Sequence, residues 1–220
     1  MLVKSMTRAL FITLGFEEKF AVRALTRHGL DKHDKIILIT GTRIEKVDRA
    51  IGFISEFISK YYGDEVKLRV EEVPVHDICI AASLIRKLIV EEAKNVDQVI
   101  VNLSGGMRVI IAAVIIALRL INIQNITIEL ETEDSSTLVQ IPIEAIKIQE
   151  HQIGPEKSEI LKILTDRDDY LTVGEIAKAV GKDESTVRRH LARLRNAKLI
   201  EVKKLKPLTV KATQIAKIFI

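Results

Sequence analysis

Apolar residues recur along this chain in two rhythms. Residues 9–14 (ALFITL), Lys35–Thr40 and 99–103 (VIVNL) are short, nearly continuous apolar runs that stop at glycine or polar residues. Such runs predict buried strands, and 66–73, which partly alternates, predicts another. Between them the period changes to three or four. Phe20, Ala21, Ala24, Leu25 and His28 share one face of a helix predicted over 17–28, which Gly29 ends. Val47, Ile51, Ile54, Ile58 and Tyr61 mark a second helix ending near Gly63, and Asp77 is placed to cap a third reaching about Lys94. A fourth helix is expected over 107–121. Two further strands, Ile126–Glu131 and residues 138–143, face each other across a polar turn at 133–136.

Strands alternating with helices at this pitch predict an α/β fold, a Rossmann-like doubly wound and mainly parallel sheet closed by an antiparallel hairpin. In such sheets ligands bind beyond the carboxyl ends of the strands, where the strand order reverses. Two loops meet that description: Leu14-Gly15-Phe16-Glu17 after the first strand and Ser104-Gly105-Gly106-Met107-Arg108 after the fourth. The usual order makes those strands neighbours, so both loops can line one crevice.

The fourth helix has a peculiarity. Val109, Ile110, Ile111, Val114, Ile115, Ile116, Leu118, Leu120 and Ile121 cover nearly every direction around it. A helix apolar all round is buried all round or lies in a membrane. The apolar run stops at Arg119, well short of the roughly 20 residues a bilayer requires, so no membrane association is expected. A sheet on one side and a second subunit on the other would satisfy it.

Beyond residue 143 the pattern changes. Periodicity fades over 144–155, which ends in Gly154-Pro155 and reads as a linker between an N-terminal domain (1–143) and a C-terminal domain (156–220). A helix over 156–165 carries Ile160, Leu161 and Leu164, and 166–170 reads as a polar loop. Thr172 and Glu175 form a capping box, and Gly181 makes a turn. Asp183 then caps a helix to about Ala197 whose inner face is Val187, Leu191 and Leu194. Helix, glycine turn, helix is the helix-turn-helix layout. Ser185, Arg189 and Asn196 fall on the outer face, flanked by Arg188 and Arg193. Residues 199–204 and Leu208–Ala212 form a hairpin tipped by Lys203, Lys204, Lys206 and Pro207, the position of a wing. These outer residues and wing lysines are the expected contacts to double-stranded DNA.

Charge agrees with that division. Residues 1–155 carry 19 Lys/Arg and 21 Asp/Glu, a net −2, whereas residues 156–220 carry 15 and 9, a net +6. The basic excess, and with it a polyanionic partner, belongs to the C-terminal part. Cys79 is alone, which excludes an internal disulfide or a thiolate zinc site. With no secretion signal over 1–14, a cytoplasmic protein is expected.

At the N-terminal crevice the residues describe an anion site. Gly105 and Gly106 leave the backbone open to a phosphate, the first amides of the helix point outward, and Arg108 adds a fork-shaped cation. The Ser104 hydroxyl can donate. Phe16 fits either a core position or a shelf for a base, and Gly-Gly after a strand also serves as a plain tight turn. The pattern is neither a P-loop nor a dinucleotide fingerprint. His28, His33 and His76 lack metal-ligand spacing, and no catalytic set is visible.

Taken together, Leu14-Gly15-Phe16, Ser104-Gly105-Gly106-Met107-Arg108 and the C-terminal winged helix resemble the archaeal CRISPR-associated CARF-domain/winged-helix transcriptional regulators, across both domains and in their order. The resemblance implies a homodimer joined through the CARF domains and regulation of CRISPR-locus promoters. It also implies a cyclic oligoadenylate effector, cyclic tetra-adenylate above all; no cofactor is expected. Its ligand residues carry over to Gly15, Phe16, Ser104, Gly105, Gly106, Met107 and Arg108. Two other readings stay open: a metal-independent ring nuclease that degrades the same ligand, and a dimeric DNA-binding protein indifferent to it.

Overall fold

Six strands form the first sheet of the computed structural model, which describes residues 6–147 and 153–220. They are β1 (Arg8–Thr13), β2 (Lys35–Thr40), β3 (Lys67–Glu72), β4 (Gln98–Asn102), β5 (Ile126–Glu131) and β6 (Leu138–Ile141), in the order β3-β2-β1-β4-β5-β6. The first five are parallel and β6 returns antiparallel to β5. Every residue of β1, β2 and β4 after the first is buried. Central parallel strands are covered on both faces, which is why their sequence is a continuous apolar run. Edge strand β3 carries Lys67, Arg69, Glu71 and Glu72 on a half-exposed ribbon, and this accounts for its partial alternation.

Helices α1 (Lys19–His28), α2 (Glu45–Tyr62), α3 (Ile78–Ala93) and α4 (Arg108–Arg119) connect the parallel strands. Ala21, Ala24 and Leu25 of α1 and Ala50, Ile54 and Ile58 of α2 pack on Leu10, Ile12, Ile36, Leu38 and Ile100. The alternate residues Ala9, Phe11, Ile37, Ile39, Val99 and Val101 point the other way, to the face where α3 and α4 pack on each other. Asp77 caps α3, its carboxylate accepting from the Cys79 and Ile80 amides at 3.0 and 2.9 Å.

The chain divides into two units, Met1–Ile143 and Glu144–Ile220. The second contains α5 (Ile143–Lys147, which straddles the division), α6 (Pro155–Arg167), β7 (Leu171–Thr172), α7 (Val173–Val180), α8 (Glu184–Asn196), β8 (Ile200–Leu205), β9 (Leu208–Ala212) and a closing 3-10 helix, Gln214–Phe219. Ile160, Leu161, Leu164, Ile176, Val187, Leu191, Leu194 and Val210 form its core. Both halves of the expected capping box are made. Thr172 Oγ1 accepts from the Glu175 amide at 3.3 Å, and the Thr172 amide donates to Glu175 Oε2 at 2.7 Å.

Several boundaries differ from expectation. Helix α1 opens two residues later than 17, with Glu18 in the capping position. Part of the expected linker is helical: Glu144–Lys147 lie in α5, and Pro155 opens α6, where its fixed φ and missing N–H suit the first helical position. Residues 148–152 of that linker lie outside the described residues. The polar loop at 166–170 starts only after Arg167, at Asp168, which adopts a left-handed φ of 47°. Strand β7 was not foreseen, because two residues carry no periodicity and form a strand only by pairing with β9.

Candidate ligand cleft and nucleic-acid interface

Strands β1 and β4 are adjacent, and each leads into a helix on the opposite side of the sheet, so their carboxyl ends open a crevice. It is a cleft of about 790 Å³ lined by Gly15, Phe16, Glu17, Lys19, Phe20, Ser104, Gly105, Gly106, Met107, Arg108, Val109 and Glu133. All seven expected ligand residues therefore share one cavity. Glu17 belongs to the loop expected to line the crevice, whereas Lys19, Phe20, Val109 and Glu133 were missed. Lys19 and Phe20 follow Phe16 at helical spacing, and Glu133 follows the strand next to β4, so strand order was the available signal.

The glycines are explained first by the two loops touching. A Cβ on Gly15 would lie 3.2 Å from the Gly106 Cα, and one on Gly105 would lie 2.9 Å from the Thr13 carbonyl oxygen. Gly106 also has a φ of 89°, a conformation side-chain-bearing residues rarely adopt. Thr13 Oγ1 seals the contact, donating to the Gly105 carbonyl at 2.5 Å. The two loops thus form one floor. Phe16 stands out from that floor, 56% exposed, so it is not a core residue. Met107 opens α4 without a side-chain cap, which leaves first-turn amides and the helix-end positive potential facing the cleft.

Beneath the floor lies a polar network that local sequence does not announce. Asn102 pairs in register with Glu129. Its amide donates to Glu129 Oε1 at 2.7 Å while its Oδ1 accepts from the Ser104 amide at 3.1 Å. Ser104 Oγ accepts from the Glu131 amide at 2.8 Å, so the Ser104 oxygen is already engaged structurally. Helix α1 supplies the counter-charges: Arg27 reaches Glu129 at 3.1 Å and Glu131 at 2.7 Å, Arg23 reaches Glu131 at 2.8 Å, and His28 Nε2 lies 3.0 Å from Glu129. Burial pushes the Glu129 carboxyl up; hydrogen bonds from His28 and Asn102, with the nearby charges of His28 and Arg27, outweigh it and hold the carboxyl below its ordinary value.

In the second unit, α8 buries Val187, His190, Leu191 and Leu194 and exposes Ser185, Arg188, Arg189, Arg193 and Asn196. The expected outer face is thus presented, with two qualifications. Ser185 Oγ donates to Asp183 at 2.5 Å as part of the helix cap, and Arg188 pairs with Glu184 at 3.3 Å. The hairpin β8–β9 is a wing turning at Lys206-Pro207, with Lys203, Lys204 and Lys206 all exposed. Lys203 differs. A register shift between Val202 and Lys204 takes it out of the regular pairing, and its Nζ sits 4.9 Å above the Tyr170 ring. Tyr170 is in turn anchored by donating to Glu201 at 2.5 Å.

Comparison with known proteins reports on both units. Residues 8–142 match the family described as the Csa3 CRISPR-associated Rossmann-like domain. Residues 154–202 match the helix-turn-helix family of arsR bacterial regulatory proteins. A CRISPR locus-related protein, Csa3 of Saccharolobus solfataricus, named there for DNA binding, is 24% identical over 194 residues, covering 86% of this chain and 77% of the relative. Among solved structures, Enterococcus italicus Csm6 bound to cyclic hexa-2'-fluoro-hexa-dAMP is 11% identical with a TM-score of 0.50, covering 89% of this chain and 52% of that one. Can2 of Sulfobacillus thermosulfidooxidans, solved with cyclic tetra-adenylate, is 10% identical with a TM-score of 0.45, covering 96% and 61%. The chain therefore spans less than two thirds of these structural neighbours. Among the described residues, no helix is long and apolar enough to cross a membrane.

Proposed function

Because the chain belongs to the CRISPR-associated family defined by the Csa3 Rossmann-like domain, we propose that it is a dimeric transcriptional regulator of CRISPR loci that senses a cyclic oligoadenylate, cyclic tetra-adenylate, in its N-terminal cleft and binds promoter DNA through its winged helix. The observation that carries this reading is the cleft at the β1/β4 reversal. An uncapped helix start and Arg108 supply anion contacts there, and Phe16 supplies an exposed ring beside them. Csm6, which shares the fold, was solved with a cyclic hexanucleotide, in keeping with a ring-shaped ligand here.

Two further features support dimeric sensing. Ile115 and Ile116 of α4, Leu120 just after it and Ile80 of α3 remain exposed, although α4 buries its opposite face. A second copy packed on that surface would remove them from water, at roughly 25 cal/mol per Å² of apolar area. A two-fold axis through α4 would also set two Ser104–Arg108 loops together, matching the symmetry of a ring with four phosphates. Ligand binding across that axis would bias the spacing of two recognition helices, which must meet half-sites about one helical turn apart.

The test is thermal stability with and without cyclic tetra-adenylate, for the unmodified protein and for Arg108→Ala, alongside a promoter gel shift. An upward shift that Arg108→Ala abolishes supports the reading. Unchanged melting with cyclic oligoadenylates of several ring sizes overturns the sensing claim.

A further inference from the structure

A second groove adjoins the cleft and shares one wall with it. Phe16 lines both, and the second groove, about 410 Å³, is completed by Glu18 and by Lys46, Arg49, Ala50 and Phe53. The last four recur at i, i+3, i+4 and i+7 along the first turns of α2, a single stripe on one helix face. Two of its rings stand in solvent: Phe16 is 56% exposed and Phe53 is 51% exposed.

The chemistry of the groove is specific. Lys46 Nζ lies 5.9 Å from the Phe16 ring centroid, so a cation already sits over one aromatic face. Arg49 is largely exposed and pairs only loosely with Glu45, at 3.7 Å. Lys46 lies in the first turn of α2 between Glu45 and Asp48, and Arg49 opens the second turn with its guanidinium toward solvent. Two exposed aromatic rings beside two cations are the makings of a base-stacking platform with a phosphate contact. The groove borders the cleft across the Phe16 ring, so one extended nucleotide ligand can reach both.

We propose that the stripe Lys46, Arg49 and Phe53 is a base-binding shelf for a purine of the same nucleotide ligand that fills the cleft. The purine stacks over Phe53, with Phe16 as the divider between shelf and cleft, and Arg49 meets an adjoining phosphate. This rests on the reading of the cleft as a cyclic oligoadenylate site. It adds that recognition extends outward to α2, so the ligand is read by its bases as well as by its phosphates.

The experiment uses the full-length protein and cyclic tetra-adenylate in which one adenine is replaced by fluorescent 2-aminopurine, whose emission falls when it stacks. Binding to the unmodified protein quenches it. Phe53→Ala weakens binding roughly 5- to 100-fold and reduces the quench; Phe53→Trp retains both. Arg49→Ala weakens binding and lowers its salt dependence. Because Phe53 is exposed, thermal melting of these variants without ligand stays as in the unmodified protein, and a matched melt rules out unfolding as the cause. Wild-type affinity and quench in Phe53→Ala, with binding still lost in Arg108→Ala, overturn the shelf alone. An unmodified protein that binds no ring overturns the cleft reading and the shelf with it.

Discussion

Asn102 joins two buried systems: its amide donates to Glu129 at 2.7 Å and its carbonyl oxygen accepts from the Ser104 amide at 3.1 Å. One side chain at the end of β4 therefore ties the floor of the cleft to a carboxylate whose charge is balanced from α1. Apolar replacement leaves Ser104 N–H and a Glu129 oxygen without that partner. Asn102→Leu is expected to cost about 1–3 kcal/mol in denaturant unfolding of the N-terminal unit. It is also expected to weaken ligand binding, because the Ser104–Arg108 loop loses its anchor.

Glu129 makes that unit sensitive to acid. Its carboxyl is held below the ordinary value of 4.5 in the fold, so the unfolded chain takes up its proton first as pH falls. A carboxyl depressed in the folded state stabilises above its unfolded pKa and loses that contribution as pH drops through the folded one. Melting of the N-terminal unit should therefore fall as pH is lowered from 5 toward 3. Glu129→Gln should flatten that dependence while lowering stability at pH 7; an equally steep fall in the variant would locate the acid sensitivity elsewhere.

The loop glycines give a second stability test. Gly105→Ala sets a Cβ 2.9 Å from the Thr13 carbonyl, and Gly106→Ala adds a side chain at a φ of 89°. Each should destabilise the N-terminal unit by about 1–3 kcal/mol. Gly52→Ala, in the middle of α2 with open space around it, should leave stability unchanged or raise it by up to about 1 kcal/mol. Chemical denaturation of the three variants decides the matter.

On DNA, Arg189→Ala should lower affinity for the cognate promoter roughly 5- to 100-fold and relax preference at one base position. Lys204→Ala and Lys206→Ala should weaken all sequences alike and reduce the slope of log affinity against log salt by about one each. Lys203→Ala should change that slope less, since its ammonium is already held over the Tyr170 ring. Fluorescence anisotropy over a salt series separates the three lysines.

The exposed α4 face predicts assembly. Replacing Ile116 or Leu120 by Glu introduces a charge where two apolar faces would meet, and sedimentation should show a dimer turning into monomers with the fold intact. A monomeric unmodified protein at micromolar concentration would remove the basis for a shared ligand site.

Much of this organisation could be read from one dimension. Near-continuous apolar runs marked β1, β2 and β4, three-to-four periodicity marked the helices, and Asp77, Thr172 with Glu175, and Asp183 marked helix starts. These signals are local, involving neighbours within a turn or a strand, and so they survive without knowledge of the fold. The two glycine-bearing loops and the basic outer face of α8 were likewise legible from composition and spacing.

What only tertiary structure decided depends on partners far apart in the chain. Glu129 and Glu131 are acidic residues in an apolar strand until Arg23, Arg27 and His28, about a hundred positions earlier, arrive beside them. Glycine at 105 and 106 reads as openness to a phosphate, yet the fold uses these glycines, with Gly15, so that the end of β1 can touch the Gly105 loop. Strand β7 exists because β9 pairs with it, and Lys203 is occupied because Tyr170 lies beneath it. Sequence determined which segments form strands, helices and caps because those forces act along the backbone. Packing determined which side chains remain free to meet a ligand, because that depends on what the other segments leave uncovered.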